Sequence, residues 1–158
     1  MLRAHAVALL VGALLAGGCG GEDDTDPEPR AEPEQVEIIT RVTIAPTPGA
    51  EVIATGDVLK GSTLGDSPFC VGGTIQDSHG STDPEVWLIA RTITCPDGEV
   101  RMDVTPDMPD GLKQTGSWEI VSGTGAFEGL QGSGEMEVTY DPNPDEPAAE
   151  TYTGTATR

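Results

Sequence analysis

From Val36 to the C-terminus, apolar side chains recur at every second position rather than every third or fourth, and this period constrains the fold more than any other feature. In VEIITRVTI, residues 36–44, Val36, Ile38, Val42 and Ile44 share one face while Glu37, Arg41 and Thr43 take the other. Val100, Met102 and Val104 alternate with Glu99, Arg101 and Asp103; Trp118 and Ile120 alternate with Ser117 and Glu119; Met136, Val138 and Tyr140 alternate with Glu135, Glu137 and Thr139. Such alternation predicts strands with one dry and one wet face. Further strands are expected at 50–59, 69–75, 86–94 and 150–157. The segment VWLIARTIT, residues 86–94, is apolar on both faces and is expected to be covered on both.

Turn signals separate these runs: PTPG, DSHGSTDP, CPDG, PDMPDG and DPNPDEP. No segment after the first 18 residues has the spacing of an amphipathic helix. The expected fold is therefore all-β, a single closed or nearly closed antiparallel β-barrel of about eight strands, because closure removes unpaired edges. A two-sheet β-sandwich is the alternative. The 21 glycines of the chain, many in or beside strands, permit the sharp bending that a barrel requires.

The glycine-rich stretch VSGTGAFEGLQGSGEMEV, residues 121–138, invites comparison with phosphate-binding loops. Gly125 and Gly129 have P-loop spacing, but Leu130 stands where a lysine must reach the phosphates. Gly123 and Gly125 begin a dinucleotide pattern, but Glu128 occupies the third glycine position, where its carboxylate would repel a pyrophosphate. The stretch instead reads as a corner between two strands, with Phe127 and Leu130 as apolar plugs. The run GSWEIVSGTGAFEGLQGSGEMEV, followed by ETYTGTAT, resembles the closing half of the allene oxide cyclase barrel-like domains, a group that includes dirigent proteins and bacterial secreted proteins. The resemblance covers residues 115–157. It implies an eight-stranded barrel with a central cavity and a habit of handling small apolar molecules; no catalytic residue of the plant enzymes matches a position here.

The N-terminus has a different character. MLRAH carries an early positive charge, AVALLVGALLAG is apolar and rich in small residues, and a cysteine follows, so residues 1–18 are expected to be a secretory signal peptide. LLAGGC is similar to the lipobox of bacterial lipoproteins, with Ala16 where that pattern favours leucine, which implies acylation of Cys19. A plain cleaved signal or an incidental cysteine is the competing reading. Each acyl chain contributes about 0.8 kcal/mol per buried methylene, and stable anchoring takes more than one chain. Residues 19–35 then form a lipidated cysteine and an acidic tether without a large apolar side chain, too polar to fold. That places residues 36–158, the barrel domain, outside the cytoplasm, lipid-anchored to the bacterial cell envelope and held off the membrane.

With Cys19 occupied, Cys70 and Cys95 remain, and an oxidising compartment would let them pair. Two unpaired buried thiols are the alternative. Neither cysteine lies in a CxxC pair, and one histidine, His79, follows the signal segment, so no metal site is expected. The net charge is −19; residues 20–35 hold seven acids and one base, and the domain holds 20 acids and six bases. Nucleic acid is therefore a poor partner. DPNPDE starts like a calcium loop, but Glu146 replaces its glycine and Tyr152 its bidentate glutamate, so it reads as a turn. His79 beside Asp77 could form half of an acid–base pair, but it reads as an exposed loop residue, and no GxSxG accompanies it. Trp87, Trp118, Met136, Tyr140 and Tyr152 are the candidate cavity lining. The expectation is a non-catalytic binding module for a small apolar ligand or a cell-envelope protein, needing no cofactor. An isomerase or cyclase and a structural or adhesive surface domain are the alternatives.

Overall fold

The computed structural model describes residues 32–46, 52–80 and 88–158. The expected signal peptide, Cys19, most of the expected tether and Trp87 lie outside the described residues. Among the described residues ten strands form one sheet: β1 (Glu34–Pro46), β2 (Val52–Val58), β3 (Thr63–Leu64), β4 (Ser67–Pro68), β5 (Thr74–Gly80), β6 (Ile89–Cys95), β7 (Gly98–Pro106), β8 (Lys113–Gly123), β9 (Gln131–Thr139) and β10 (Ala148–Thr157). Eight of them follow each other antiparallel around a ring, β1, β2, β5, β6, β7, β8, β9 and β10, and β10 pairs back onto β1 from Glu34↔Ala156 to Val42↔Ala148. The fold is thus a closed eight-stranded antiparallel β-barrel. β3 and β4 form a small hairpin docked on β1 through Val36↔Leu64.

The period of two sets the inside and the outside. Val36, Ile38 and Val42 of β1, Ile93 of β6, Val100, Met102 and Val104 of β7, Trp118 of β8, Met136 and Val138 of β9 and Tyr152 of β10 are buried in one core. Trp118 needs space that its neighbours provide by having no side chain: a Cβ on Gly154 would lie 2.8 Å from the indole and 2.2 Å from Ser133 O. The indole N–H donates to the carbonyls of Glu135 (3.0 Å) and Thr153 (3.3 Å), so a large ring is buried without an unsatisfied donor.

One end of the lumen is closed. After β8 the chain makes a short 3-10 turn, Gly125–Phe127, which buries Phe127; Leu130 is buried beside it, and Phe69 meets Phe127 edge-on with centroids 5.5 Å apart. Gly125 and Gly129 adopt φ +60° and +77° here, as the expected corner requires. Cys70 and Cys95 form a disulfide at the same end, with Cα atoms 5.0 Å apart.

Two strand expectations are corrected. Residues 69–75 are mainly a turn, because Cys70 at φ +48° and Gly72 at φ +80° reverse the chain; the strand is β5, displaced to Thr74–Gly80. His79 accordingly lies on that strand, opposite Ala90, and not in a loop. β6 is not covered on both faces: Arg91, Ile93 and Cys95 are buried while Thr94 is exposed, and Leu88 just ahead of the strand is 42% exposed.

Candidate functional site

Above the apolar half of the lumen lies a layer of charged groups. Asp77 and Arg91 are direct cross-strand partners on β5 and β6, and Thr40 and Glu150 are direct partners on β1 and β10. In an eight-stranded ring β6 and β10 are opposite walls. The Arg91 side chain spans the lumen between them as a strut.

Its hydrogen bonds divide by wall. Towards β5, Arg91 Nε donates to Asp77 Oδ1 at 2.5 Å and Nη2 to Oδ2 at 3.0 Å, a fork-to-fork pairing. Towards β10, Nη1 donates to both oxygens of Glu150, at 3.0 and 2.8 Å, and to the Tyr152 hydroxyl. Tyr152 Oη and Thr40 Oγ1 each donate to Glu150 Oε2 at 2.9 Å, and the Ala54 N–H donates to Asp77 Oδ2 at 2.9 Å. A β-bulge between Asp77 and His79 interrupts the ladder just past Asp77, where it fixes the aim of that side chain. No buried side-chain polar atom lacks a partner among the described residues.

Arg91, Glu150, Asp77 and Tyr152 are 3%, 4%, 2% and 0% exposed. Burial disfavours the Arg91 cation, but Tyr152, Glu150 and Asp77 together more than reverse this, so its pKa lies well above the ordinary arginine value. Burial likewise pushes the Tyr152 phenol well up; Arg91 opposes this and Glu150 adds to it. Tyr152 therefore remains a neutral donor. With no exposed face, the four groups lack a path by which a substrate could reach them.

The barrel end beyond this layer differs from the closed end. Ile44 of β1, Ile89 of β6 and Tyr140 after β9 face inward but are only half-buried. Tyr140 Oη donates to Gln114 Oε1 and Gln114 Nε2 to Asp107 O at 2.7 Å, which ties β9 to the β7–β8 turn across this rim. Burial and then the Glu150 carboxylate raise the Tyr140 pKa, against a smaller lowering by Arg91, so the field of the charged layer extends to the rim. In the rim turn, Asp141 Oδ1 accepts from the Asn143 N–H at 2.9 Å and Asn143 Oδ1 from the Asp145 N–H at 3.2 Å, so the oxygens of the calcium-like segment serve their own backbone.

Of the sequence-derived lining residues, Trp118, Met136 and Tyr152 are buried inside the barrel and Tyr140 stands at the rim. They are brought together as core and rim, with Tyr152 alone joining the charged layer. Arg91, Glu150 and Thr40 were not singled out in the sequence, and Asp77 only as a neighbour of His79. The available signal was parity: Arg91 lies two residues from Ile89 and Ile93, and Glu150 two from Ala148 and Tyr152, each on its strand's dry face. Comparison with known protein families, with curated proteins and with solved structures finds no match to this chain.

Proposed function

We propose that the chain is an exported bacterial lipoprotein, anchored through Cys19, whose barrel is a non-catalytic module binding a small apolar ligand at its half-open end. The observation that carries this reading is the asymmetry of the lumen. Phe69, Phe127 and Leu130 close one end, while Ile44, Ile89 and Tyr140 at the other pack on the core above the charged layer but are only partly buried. Apolar walls with a few fixed polar groups are the usual make-up of a small-molecule site. The resemblance of residues 115–157 to the allene oxide cyclase barrel-like group points to the same class of ligand.

Isomerase or cyclase chemistry has less support. The ionisable groups that could transfer protons are fully covered and committed to one another. A structural or adhesive role is the second reading, favoured by the strut that fills the middle of the lumen.

The chain enters the barrel at the closed end, since Glu34 pairs with Ala156 and the Gly65 N–H donates to Gln35 O there. A tether from Cys19 would thus hold the closed end towards the membrane and present the mouth outwards. Native mass spectrometry of protein from the membrane fraction of its own host tests the proposal. An acylated chain beginning at Cys19, carrying a small molecule released on denaturation, is expected; an unmodified chain with no adduct refutes it.

A further inference from the structure

The mouth end carries a surface of its own outside the lumen. The β7–β8 turn holds Met108 at 74% and Leu112 at 46% exposure. Scattered exposed apolar residues are ordinary on a monomer, but these two share one short turn whose backbone is pinned. The Asp107 N–H donates to Thr115 O and the Asp110 N–H to Lys113 O, both at 2.8 Å, and the Lys113 N–H returns to Asp110 O at 3.1 Å. Thr115 Oγ1 donates to Asp107 Oδ2 at 2.7 Å, and Gly111 takes the φ of +61° on which the reversal depends. A turn already fixed loses little further freedom when a partner covers it.

The β9–β10 turn lies beside it, since the Tyr140 N–H donates to Leu112 O at 2.8 Å and Lys113 pairs with Thr139. Asp107 and Asp110 on the first turn and Asp141, Asp145 and Glu146 on the second are exposed. Across residues 107–113 and 141–147 these five acids stand against one base, Lys113, a formal charge of −4, and Lys113 pairs with Glu137 at 3.6 Å. Segments 47–51 and 81–87 contain no lysine or arginine, so neither supplies a base to offset this charge. An apolar centre inside a charged rim is the usual make-up of a protein interface, and a rim of one sign selects a partner of the other.

From this we infer that the paired turns dock a basic protein segment, in which an apolar side chain packs on Met108 and Leu112 and flanking lysines or arginines meet the neighbouring carboxylates. The inference goes beyond the reading of the lumen as a ligand site and does not depend on it. A second copy of this chain would bring like charge to like, and an anionic bilayer surface is repelled for the same reason.

Isothermal titration of the full chain with three short peptides tests this: leucines flanked by lysines, serines flanked by lysines, and leucines flanked by glutamates. The lysine–leucine peptide is expected to bind at least about ten-fold more tightly than the lysine–serine peptide, and the glutamate–leucine peptide not to bind. In the double variant Met108→Ser, Leu112→Ser that preference is expected to fall to about two-fold or less. In the triple variant Asp110→Asn, Asp145→Asn, Glu146→Gln the lysine–leucine affinity is expected to fall at least about ten-fold. Val121→Ser, which removes an exposed apolar side chain near the far end of β8, is expected to change neither. The wild-type ranking needs no variant, so a variant that fails to fold leaves the test intact. Equal binding of the two lysine peptides, or no binding by any peptide, overturns the proposal. So does a preference that survives in the folded double variant or is lost equally in Val121→Ser. A wild-type dimer in analytical ultracentrifugation that the double variant abolishes also overturns it, because the surface then belongs to a second copy.

Discussion

Replacing Arg91 by methionine preserves most of the side chain's length and apolar stem while removing the guanidinium that joins opposite barrel walls. Asp77 and Glu150, at 2% and 4% exposure, then face each other without a cation, and the five hydrogen bonds donated by Arg91 are lost. Removing one partner from a buried ion pair costs about 3–5 kcal/mol. Part of the loss is offset here, because the Ala54 N–H still donates to Asp77 and Thr40 and Tyr152 still donate to Glu150, which argues for about 4 kcal/mol rather than the upper limit. With an unfolding entropy of about 2.1 cal/mol/K per residue over a domain of roughly 125 residues, each kcal/mol lowers Tm by about 4 °C, and Arg91→Met by about 15 °C. Thermal and denaturant unfolding with the disulfide intact measure this, and an unchanged m value would show that the two end states are the same. The decisive comparison is the triple variant Asp77→Asn, Arg91→Met, Glu150→Gln. It is expected to recover more than half of the loss, because the penalty comes from uncompensated carboxylates and not from absent packing. A single variant that loses less than about 1 kcal/mol, or a triple variant no more stable than the single one, refutes this reasoning.

Tyr140 and Tyr152 are the two tyrosines of the chain, and burial raises both phenols, so the native protein should develop little tyrosinate absorbance at 295 nm near pH 10, where the unfolded chain is about half-ionised. Raised folded pKa values contribute stability that is complete below the unfolded pKa and lost as pH rises through the folded ones, so unfolding should be promoted above about pH 10, and less so in Tyr152→Phe; half-ionisation of the native chain near pH 10 contradicts this. Reduction of Cys70–Cys95, which are 25 residues apart, should lower stability by about 3 kcal/mol, and denaturing, non-reducing thiol labelling should leave both unlabelled; stoichiometric labelling of either rules out the pair in solution.

The barrel was legible where alternation is clean. β7, β8 and β9 lie close to their expected positions, since their polar positions face water and their apolar positions the lumen. The glycine-rich corner and its plugs, Phe127 and Leu130, were equally legible, because neither phosphate pattern survives inspection of Leu130 and Glu128. β5 was not, for two reasons. FCVGGTI has strand-like composition, yet its reversal depends on a left-handed Cys70, a conformation that composition does not signal. DSHG reads as a turn, yet Asp77 is held in a strand by pairing with an arginine 14 residues away. The charged layer was hidden by the rule that assigns charged residues to the wet face. Parity places Arg91 and Glu150 on the dry face, but only closure of β10 onto β1 reveals that they meet across the lumen, 59 residues apart.

We propose a barrel that is closed at one end and takes ligand at the other. Titration with N-phenyl-1-naphthylamine, a neutral apolar fluorophore, tests it most directly when run on the wild type, on Ile89→Trp, which fills the mouth, and on Leu59→Trp, which adds a ring at the closed end. Saturable one-to-one binding in the wild type, retained in Leu59→Trp and lost in Ile89→Trp, is the expected result. No saturable binding in the wild type, or equal binding in Ile89→Trp, contradicts the account.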